Sequence, residues 1–564
     1  MSENPVAPAE TRTPTAVDAY AEEYFEEFLK LAPEEATYLG RTGVETEYGD
    51  YSPAGRQQMA KLTRRTLAGL DELSAQDHTD EVTLHALRER LQLELALHET
   101  GRTQLDNIAS PAHGARMILD LMPAESDQDF QHLAGRLKNL TPALEGYWES
   151  LQDSHSAGHV PAARQVRAAA GQFAAWAGAD GAFSQFLEKA EQAGASSSVV
   201  QAVEEGAQAA AEAYLVLSER LTNELLPSAP EADAVGADYY RLVSQTFTGT
   251  VLDLEETYAW GLQELERIVQ AQREVAEQIK PGASIEEAKE ILNNDPARKL
   301  TGTQALQEWM QQLSDQAVAE LKGSHFDIPS PMDTLECMIA PTQDGGVYYT
   351  GPSDDFSRPG RMWWSVPPED NEFTTWTETT TVYHEGVPGH HLQIATATLV
   401  KDRLNSWRRN AANTSGFAEG WALYAEQLMA ELGYLNDPGD MMGMLDMQRM
   451  RAARVVFDIG VHCGLKAPAE WGGETWTPEQ GRAFLRAHLP ISEAQLEFEF
   501  TRYLGWPGQA PSYKVGQRVF EQIRAEREAA EGESFDLRAF HTELLQLGGL
   551  GLDTLRFAMG TAAA

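Results

Sequence analysis

Between Ala16 and Leu31 apolar residues recur at helical spacing, with Tyr20, Tyr24, Phe25 and Phe28 set among charged neighbours, and Pro33 follows as a stop signal. The pattern predicts an amphipathic helix. It returns at 83–99, where Leu84, Leu87, Leu91, Leu95 and Leu97 interleave with charges, and again over 199–226 and 252–279. Ser284 with Glu287 makes a capping box before a short helix, and 306–321 supplies another, so most of the first 325 residues read as antiparallel helices. Between about 326 and 372 the period is lost and Pro, Gly, Asp and aromatic residues cluster. Strands and loops are expected there. Gly346 to Thr350, between Gly345 and Gly351-Pro352, is the best strand candidate, with a plain connecting loop as the alternative. From Thr374 helical patterns resume and run, with interruptions, to the end. The expected organisation is a flexible leader over 1–15, a helical region over 16–325 and a second region over 326–564, the last two packed into one two-lobed unit.

Composition narrows the class. Acidic side chains outnumber basic ones 86 to 44, a formal net charge of −42 that repels phosphate backbones and anionic lipid, so neither nucleic acid nor a membrane surface is expected as a partner. The excess reads first as solubility and second as attraction of cationic or neutral substrates. Only two cysteines, Cys337 and Cys463, are present, which rules out a disulfide framework and fits a reducing compartment. The first fifteen residues carry no basic stretch followed by an apolar run, and no window approaches the roughly 18 apolar residues of a membrane span. These features predict a cytoplasmic protein.

The chemistry gathers in Tyr-His-Glu-Gly-Val-Pro-Gly-His-His at 383–391. A hydrolytic zinc site offers three protein ligands from His and carboxylates, leaves a position for water and needs a base beside that water. His384-Glu385 supplies a ligand and a carboxylate, the first half of the pattern in which two histidines at i and i+4 share a helix face. The second half is displaced, because position 388 is Pro and the next histidines are His390 and His391. At about 100° per residue, i+6 lies roughly 240° from His384 while i+7 returns to within about 20° but rises roughly 10.5 Å. A regular helix therefore satisfies neither. Pro388 and Gly389 predict a bulged, distorted helix that returns His390, or else His391, to the side of His384.

A third ligand is expected from Phe417-Ala-Glu-Gly-Trp-Ala-Leu-Tyr-Ala-Glu426, where Glu419 and Glu426 share a face among aromatic neighbours. Burying Glu419 there is costly unless it is paired, and a dication would pair it. The alternatives are a solvated stripe or an ion pair with Arg451 or Arg454.

At these residues the chain resembles the bacterial family called domain of unknown function 885, marked by His-Glu-x-x-Pro-Gly-His-His, here 384–391, and Glu-Gly-Trp-Ala-Leu-Tyr, here 419–424. Leu31 to Gly40 and Pro507 to Gly516 also resemble it, so the likeness runs nearly the whole chain. The resemblance implies a mainly α, zincin-like metallopeptidase fold with a small β-sheet near an active-site cleft, carried by 326–564. It further implies Zn2+ held by His384, His390 and Glu419, with His391 as substitute for His390. Gly389-His390 follows the order of related peptidases in which Gly precedes the second ligand.

The implied reaction is hydrolysis of an amide in a peptide or small amide substrate, with Glu385 as base. His462, Tyr503 and Tyr513 are candidates to stabilise the oxyanion, Asp458 standing at i−4 to orient His462, and the Gly346–Thr350 edge could align an extended peptide. The rival readings are a zinc hydrolase of an ester or a non-peptide amide, and a catalytically silent helical protein that keeps the metal for structure.

Overall fold

The computed structural model describes residues 12–179, 181–341 and 346–561. Most of the expected leader, residues 1–11, lies outside the described residues, and Arg12 within it is pinned by the carboxylates of Asp18, Asp77 and Asp80. Thr15 then caps the helix Ala16–Leu31, its hydroxyl accepting from the backbone of Val17 and Asp18 while Asp18 returns a bond to the cap. Ala21, Tyr24, Phe25 and Leu29 form the buried stripe of this helix. Pro33 does more than end it: it opens the short helix Pro33–Tyr38, at a first-turn position where a missing N–H is harmless.

The remaining periodic segments form helices at His78–Glu99, Ser197–Arg220, Leu254–Ile279, Ile285–Asn294 and Thr303–Leu321. The expected capping box of Ser284 and Glu287 is present. In the 199–226 stretch the α-helix stops at Arg220 and the next turn, Leu221–Leu225, widens to a π turn. Pro227 comes directly after, cannot donate to a carbonyl of the preceding turn and crowds it.

The apolar core divides in a way the sequence did not suggest. One large cluster joins Val17 through Leu91, Tyr240 through Leu292 and most of Ala317 through Met559, while a second is confined to Leu105 through Leu225. The expected boundary at 325/326 therefore separates no two cores. Its physical reason is visible at Gly261 on the helix Leu254–Ile279, where an added Cβ would lie 2.9 Å from Val455 on the helix Pro438–His462. The absence of a side chain lets these two helices from opposite sides of the boundary share one interior.

Among the described residues there are five short strands, the first ahead of the helix Thr303–Leu321 and the rest after it: β1 (Lys299–Thr301), β2 (Leu335–Ile339), β3 (Val347–Thr350), β4 (Gly360–Trp364) and β5 (Glu372–Thr374). β1 and β5 pair antiparallel, and the other three form a mixed sheet ordered β2-β4-β3, with β2 parallel and β3 antiparallel to β4. Met362 and Trp364 of β4, with Leu335 and Cys337 of β2, pack on Leu306 and Met310 of the helix Thr303–Leu321. The expected strand is present over Val347–Thr350, with Gly346 just ahead of it, and β3 is an outer strand of its sheet.

The helices Ser415–Glu431 and Ser512–Glu531 cross with almost no side chain between them: a Cβ on Gly420 would lie 2.5 Å from the Cα of Gly516. This close approach brings the helix of Glu419 beside that of Tyr513. Gly420→Ala is expected to lower stability by about 1–3 kcal/mol through overpacking. Gly171→Ala, at a helical position whose Cβ would meet nothing within 4 Å, is the control, expected to be neutral or to gain up to about 1 kcal/mol. Denaturant unfolding of both variants measures the contrast.

Candidate metal centre

His384 and Glu385 are the last two residues of the helix Thr375–Glu385. Beyond Glu385 the helix breaks completely, instead of bulging within one continuous helix as expected. Gly386 and Gly389 leave helical torsions, with ψ of −128° and −129°, the Val387–Pro388 peptide is cis, and a new helix, His390–Leu399, starts at His390. Pro388 has no N–H to continue a helix, and a Cβ on Gly389 would lie 1.9 Å from the carbonyl oxygen of His384, so only glycine fits there. The turn is held from the neighbouring helix: the indole N–H of Trp421 donates to the carbonyls of Pro388 at 2.9 Å and Gly389 at 3.2 Å. The break brings the imidazoles of His384 and His390 to a centroid distance of 4.9 Å, nearly perpendicular to each other.

Glu419 on Ser415–Glu431 completes the group. Its Oε2 lies 3.3 Å from Nε2 of His384 and 3.6 Å from Nε2 of His390, and one ligand atom from each of the three residues falls within 4.8 Å of the others. Such a set of two imidazoles and one carboxylate could hold a metal ion. Behind it, Oε1 of Glu426 lies 2.7 Å from Nδ1 of His384, and its other oxygen accepts from the hydroxyl of Thr380 at 2.7 Å. A proton on Nδ1 leaves Nε2 of His384 facing the cluster. Nδ1 of His390 is buried with no hydrogen-bond partner.

The charges of this group are coupled. Burial works against a charged His384, but its hydrogen bonds to Glu419 and Glu426 outweigh it and raise the imidazole to about 10. Burial pushes Glu419 up, yet His384 and His390 hold its carboxyl well below the usual range. Glu385, buried beside them, is raised by desolvation against the opposing pull of His390 and His384.

His391, the substitute second ligand, is directed elsewhere. Its Nε2 lies 2.7 Å from the carbonyl of Met332, and its Nδ1 lies 2.9 Å from the hydroxyl of Tyr349 on β3. A carbonyl only accepts, so Nε2 carries the proton and Nδ1 accepts from Tyr349. Both nitrogens are occupied, and burial lowers the pKa of the ring against the opposing hydrogen bond to Met332.

Of the three further candidates, only Tyr513 reaches the site. It lines a cleft of about 600 Å³ together with His384, Glu385, Gly346 and Val347. His462 is fully buried among core residues, its Nε2 3.0 Å from the carbonyl of Tyr503. Asp458 does not orient it: Oδ2 accepts from the hydroxyl of Tyr240 and the backbone N–H of Gly508, while Oδ1 stays 3.9 Å from Nε2 of His462, beyond hydrogen-bond distance. Tyr503 is buried against Arg454 and Arg502 rather than in the cleft. Sequence reasoning noted Glu426 without giving it a role, although a carboxylate seven residues from Glu419, among Leu and Tyr, was a signal of a buried partner.

A mainly helical chain with a small mixed sheet beside a His–His–Glu cluster defines the class. The chain belongs to the family described as bacterial protein of unknown function (DUF885), which matches residues 33–559. It is also similar to two solved structures. A putative lipoprotein from Colwellia psychrerythraea is 23% identical with a TM-score of 0.82, over 96% of this chain and 98% of that one. A putative lipoprotein of unknown function from Shewanella oneidensis is 16% identical with a TM-score of 0.76, over 97% and 100%. No curated protein matches. The likenesses establish the fold. They also correct the expectation of a cytoplasmic protein, since both neighbours are described as putative lipoproteins. Among the described residues no helix is long and apolar enough to cross a membrane.

The raised pKa of His384 has a testable sign. In chelator-treated protein its contribution to stability is fully present below about pH 6.5, the unfolded value, and is lost as pH rises toward 10. Denaturant midpoints between those limits are expected to fall, and Glu426→Gln, which removes one raising partner, to shrink the fall.

Proposed function

We propose that this protein is a zinc-dependent hydrolase that cleaves peptide bonds, with a zincin-like arrangement of its site. The observation that carries the reading is a carboxylate, Glu385, next in sequence to one member of the His384–His390–Glu419 cluster and facing the same cleft. A metal kept for structure alone needs no such base and normally has four protein ligands.

The donor set fits zinc: two imidazole nitrogens and a carboxylate oxygen are the ligands of a hydrolytic site with a position left open. His384 and His390 would bind through Nε2, and Glu419 through Oε2. When bound, zinc supplies Lewis acidity toward a carbonyl and acidifies water. Glu426 fixes the ring of His384, as carboxylates commonly do behind a ligating histidine. Glu385 takes the proton of the attacking water and delivers it to the leaving amine, and its raised pKa suits a group that must do both. Tyr513 is placed in the cleft to donate to the developing oxyanion. Val347, the first residue of the outer strand β3, lines the cleft, and an extended peptide entering there could add to that strand.

Elemental analysis with a peptide-library cleavage assay tests the reading. About one zinc per chain is expected, lost in Glu419→Ala and retained in His391→Asn. Glu385→Gln is expected to keep the metal and to lose about 10²–10⁴-fold in cleavage. An active Glu385→Gln variant, or a metal-free protein with full activity, sinks the mechanism. Metal bound without cleavage of any peptide points instead to an ester or non-peptide amide substrate, or to silent metal binding.

A further inference from the structure

On a chain with a net charge of −42, one wall of the cleft carries three arginines: Arg451, Arg454 and Arg502. Only one carboxylate on that wall answers them. Glu499 takes Arg502 through both oxygens, at 3.0 and 2.6 Å, and Arg454 at 3.3 Å, while the remaining arm of Arg502 donates to Gln509 at 2.7 Å. Arg502 is therefore satisfied. Arg451 is not: among the described residues it has no ion pair, its Nη1 reaches only the carbonyl of Met447 one turn back at 3.3 Å, and its Nε is buried without a partner. The Nε of Arg454 is buried and unpartnered as well.

The carboxylates nearer the cluster do not absorb this surplus. Glu426 is held by His384 and Thr380, and Glu419 by the two histidines. Glu385 feels the charge of Arg451, but as a weaker influence than its two neighbouring imidazoles. Two guanidinium groups with unmade hydrogen bonds thus face a cleft that His384 of the candidate metal cluster also lines. Leaving buried charged donors unpaired is costly, and a planar fork of N–H groups matches a carboxylate through two parallel bonds.

The rest of the wall favours a peptide as the bearer. Met447, Met450, Arg451 and Arg454 fall on one face of the helix Pro438–His462, two apolar residues followed by two charged ones, in a cleft also lined by Gly346 and Val347 at the start of β3. Tyr513 joins this face to the cluster, with the guanidinium carbons of Arg451 and Arg454 at 5.8 and 5.5 Å from its ring centre. We propose that Arg451 and Arg454 form a subsite for a carboxylate of the substrate, so that the protein selects peptides carrying a negative charge beside the bond to be cut, foremost a free C-terminus. The proposal rests on the peptidase reading above and adds to it a substrate class.

The test uses zinc-treated full-length protein, with Glu385→Gln to prevent turnover. Three sets of acetylated pentapeptides of mixed sequence serve as probes: free acids without acidic side chains, the matching carboxamides, and carboxamides with one glutamate. Equilibrium ultrafiltration with mass spectrometry measures binding, and wild type on the same sets measures cleavage. The free acids are expected to bind at least tenfold tighter than the plain carboxamides. Arg451→Met and Arg454→Met are expected to abolish that preference, and Arg451→Lys to restore part of it. If the glutamate set binds in the same Arg-dependent way, the carboxylate comes from a side chain rather than the terminus. Equal binding of free acids and plain carboxamides, a preference that survives both Met variants, or no binding of any set overturns the subsite. Cleavage without charge preference leaves the peptidase reading intact while removing the subsite, whereas Arg-dependent binding without cleavage does the reverse.

Discussion

The site depends on one indole. Trp421 lies on the same helix as Glu419 and donates to the two carbonyls of the Pro388–Gly389 turn, fixing where the second histidine begins its helix relative to the first. Without that donor, the carbonyl of Gly389 would keep only the N–H of Gln393, at 3.2 Å, and that of Pro388 would lose its indole partner, a buried acceptor left unpaired costing roughly 1–3 kcal/mol. The bond ties together the two sequence segments that supply His384, His390 and Glu419, so the cluster is defined by the packing of one helix against a turn. The ring itself is fully buried between Phe326, Tyr424, Phe520 and His541, which leaves it no freedom to release the turn.

Much of the fold was legible because amphipathic helices announce themselves locally. The stripe of Ala16–Leu31, the capping box at Ser284 and the loss of period after 326 each depend on residues within a few positions of one another, and all appear as read. The division of the core was not legible, since it depends on which helix faces meet: Gly261 against Val455 spans nearly two hundred residues and leaves no local trace. The π turn before Pro227 shows a milder limit, where the period continued in sequence but the backbone could not.

The same distinction governs the site. His384, Glu385 and Glu419 could be named from residue type and spacing. The choice between His390 and His391 could not follow from helical phase, which favours His391, because the helix ends at Glu385 and phase ceases to apply across the break. Likewise Asp458 and His462 stand four apart on a helix, the spacing of an orienting pair, yet Nε2 of His462 lies at the carbonyl of Tyr503 and Oδ2 of Asp458 is held by Tyr240 and Gly508, all from distant segments. Spacing tells which groups can meet; only the packing decides which are already engaged.

His391, although outside the cluster, has a mechanical role. Its ring spans from the carbonyl of Met332 to the hydroxyl of Tyr349 on β3, and its backbone continues directly from His390. A molecule lying along the outer edge of β3 would press on a strand that is pinned, through one rigid ring, to the first turn of the helix bearing His390. Occupancy of the strand and the position of a potential ligand nitrogen are joined like the two arms of a lever, with the imidazole of His391 as its pivot.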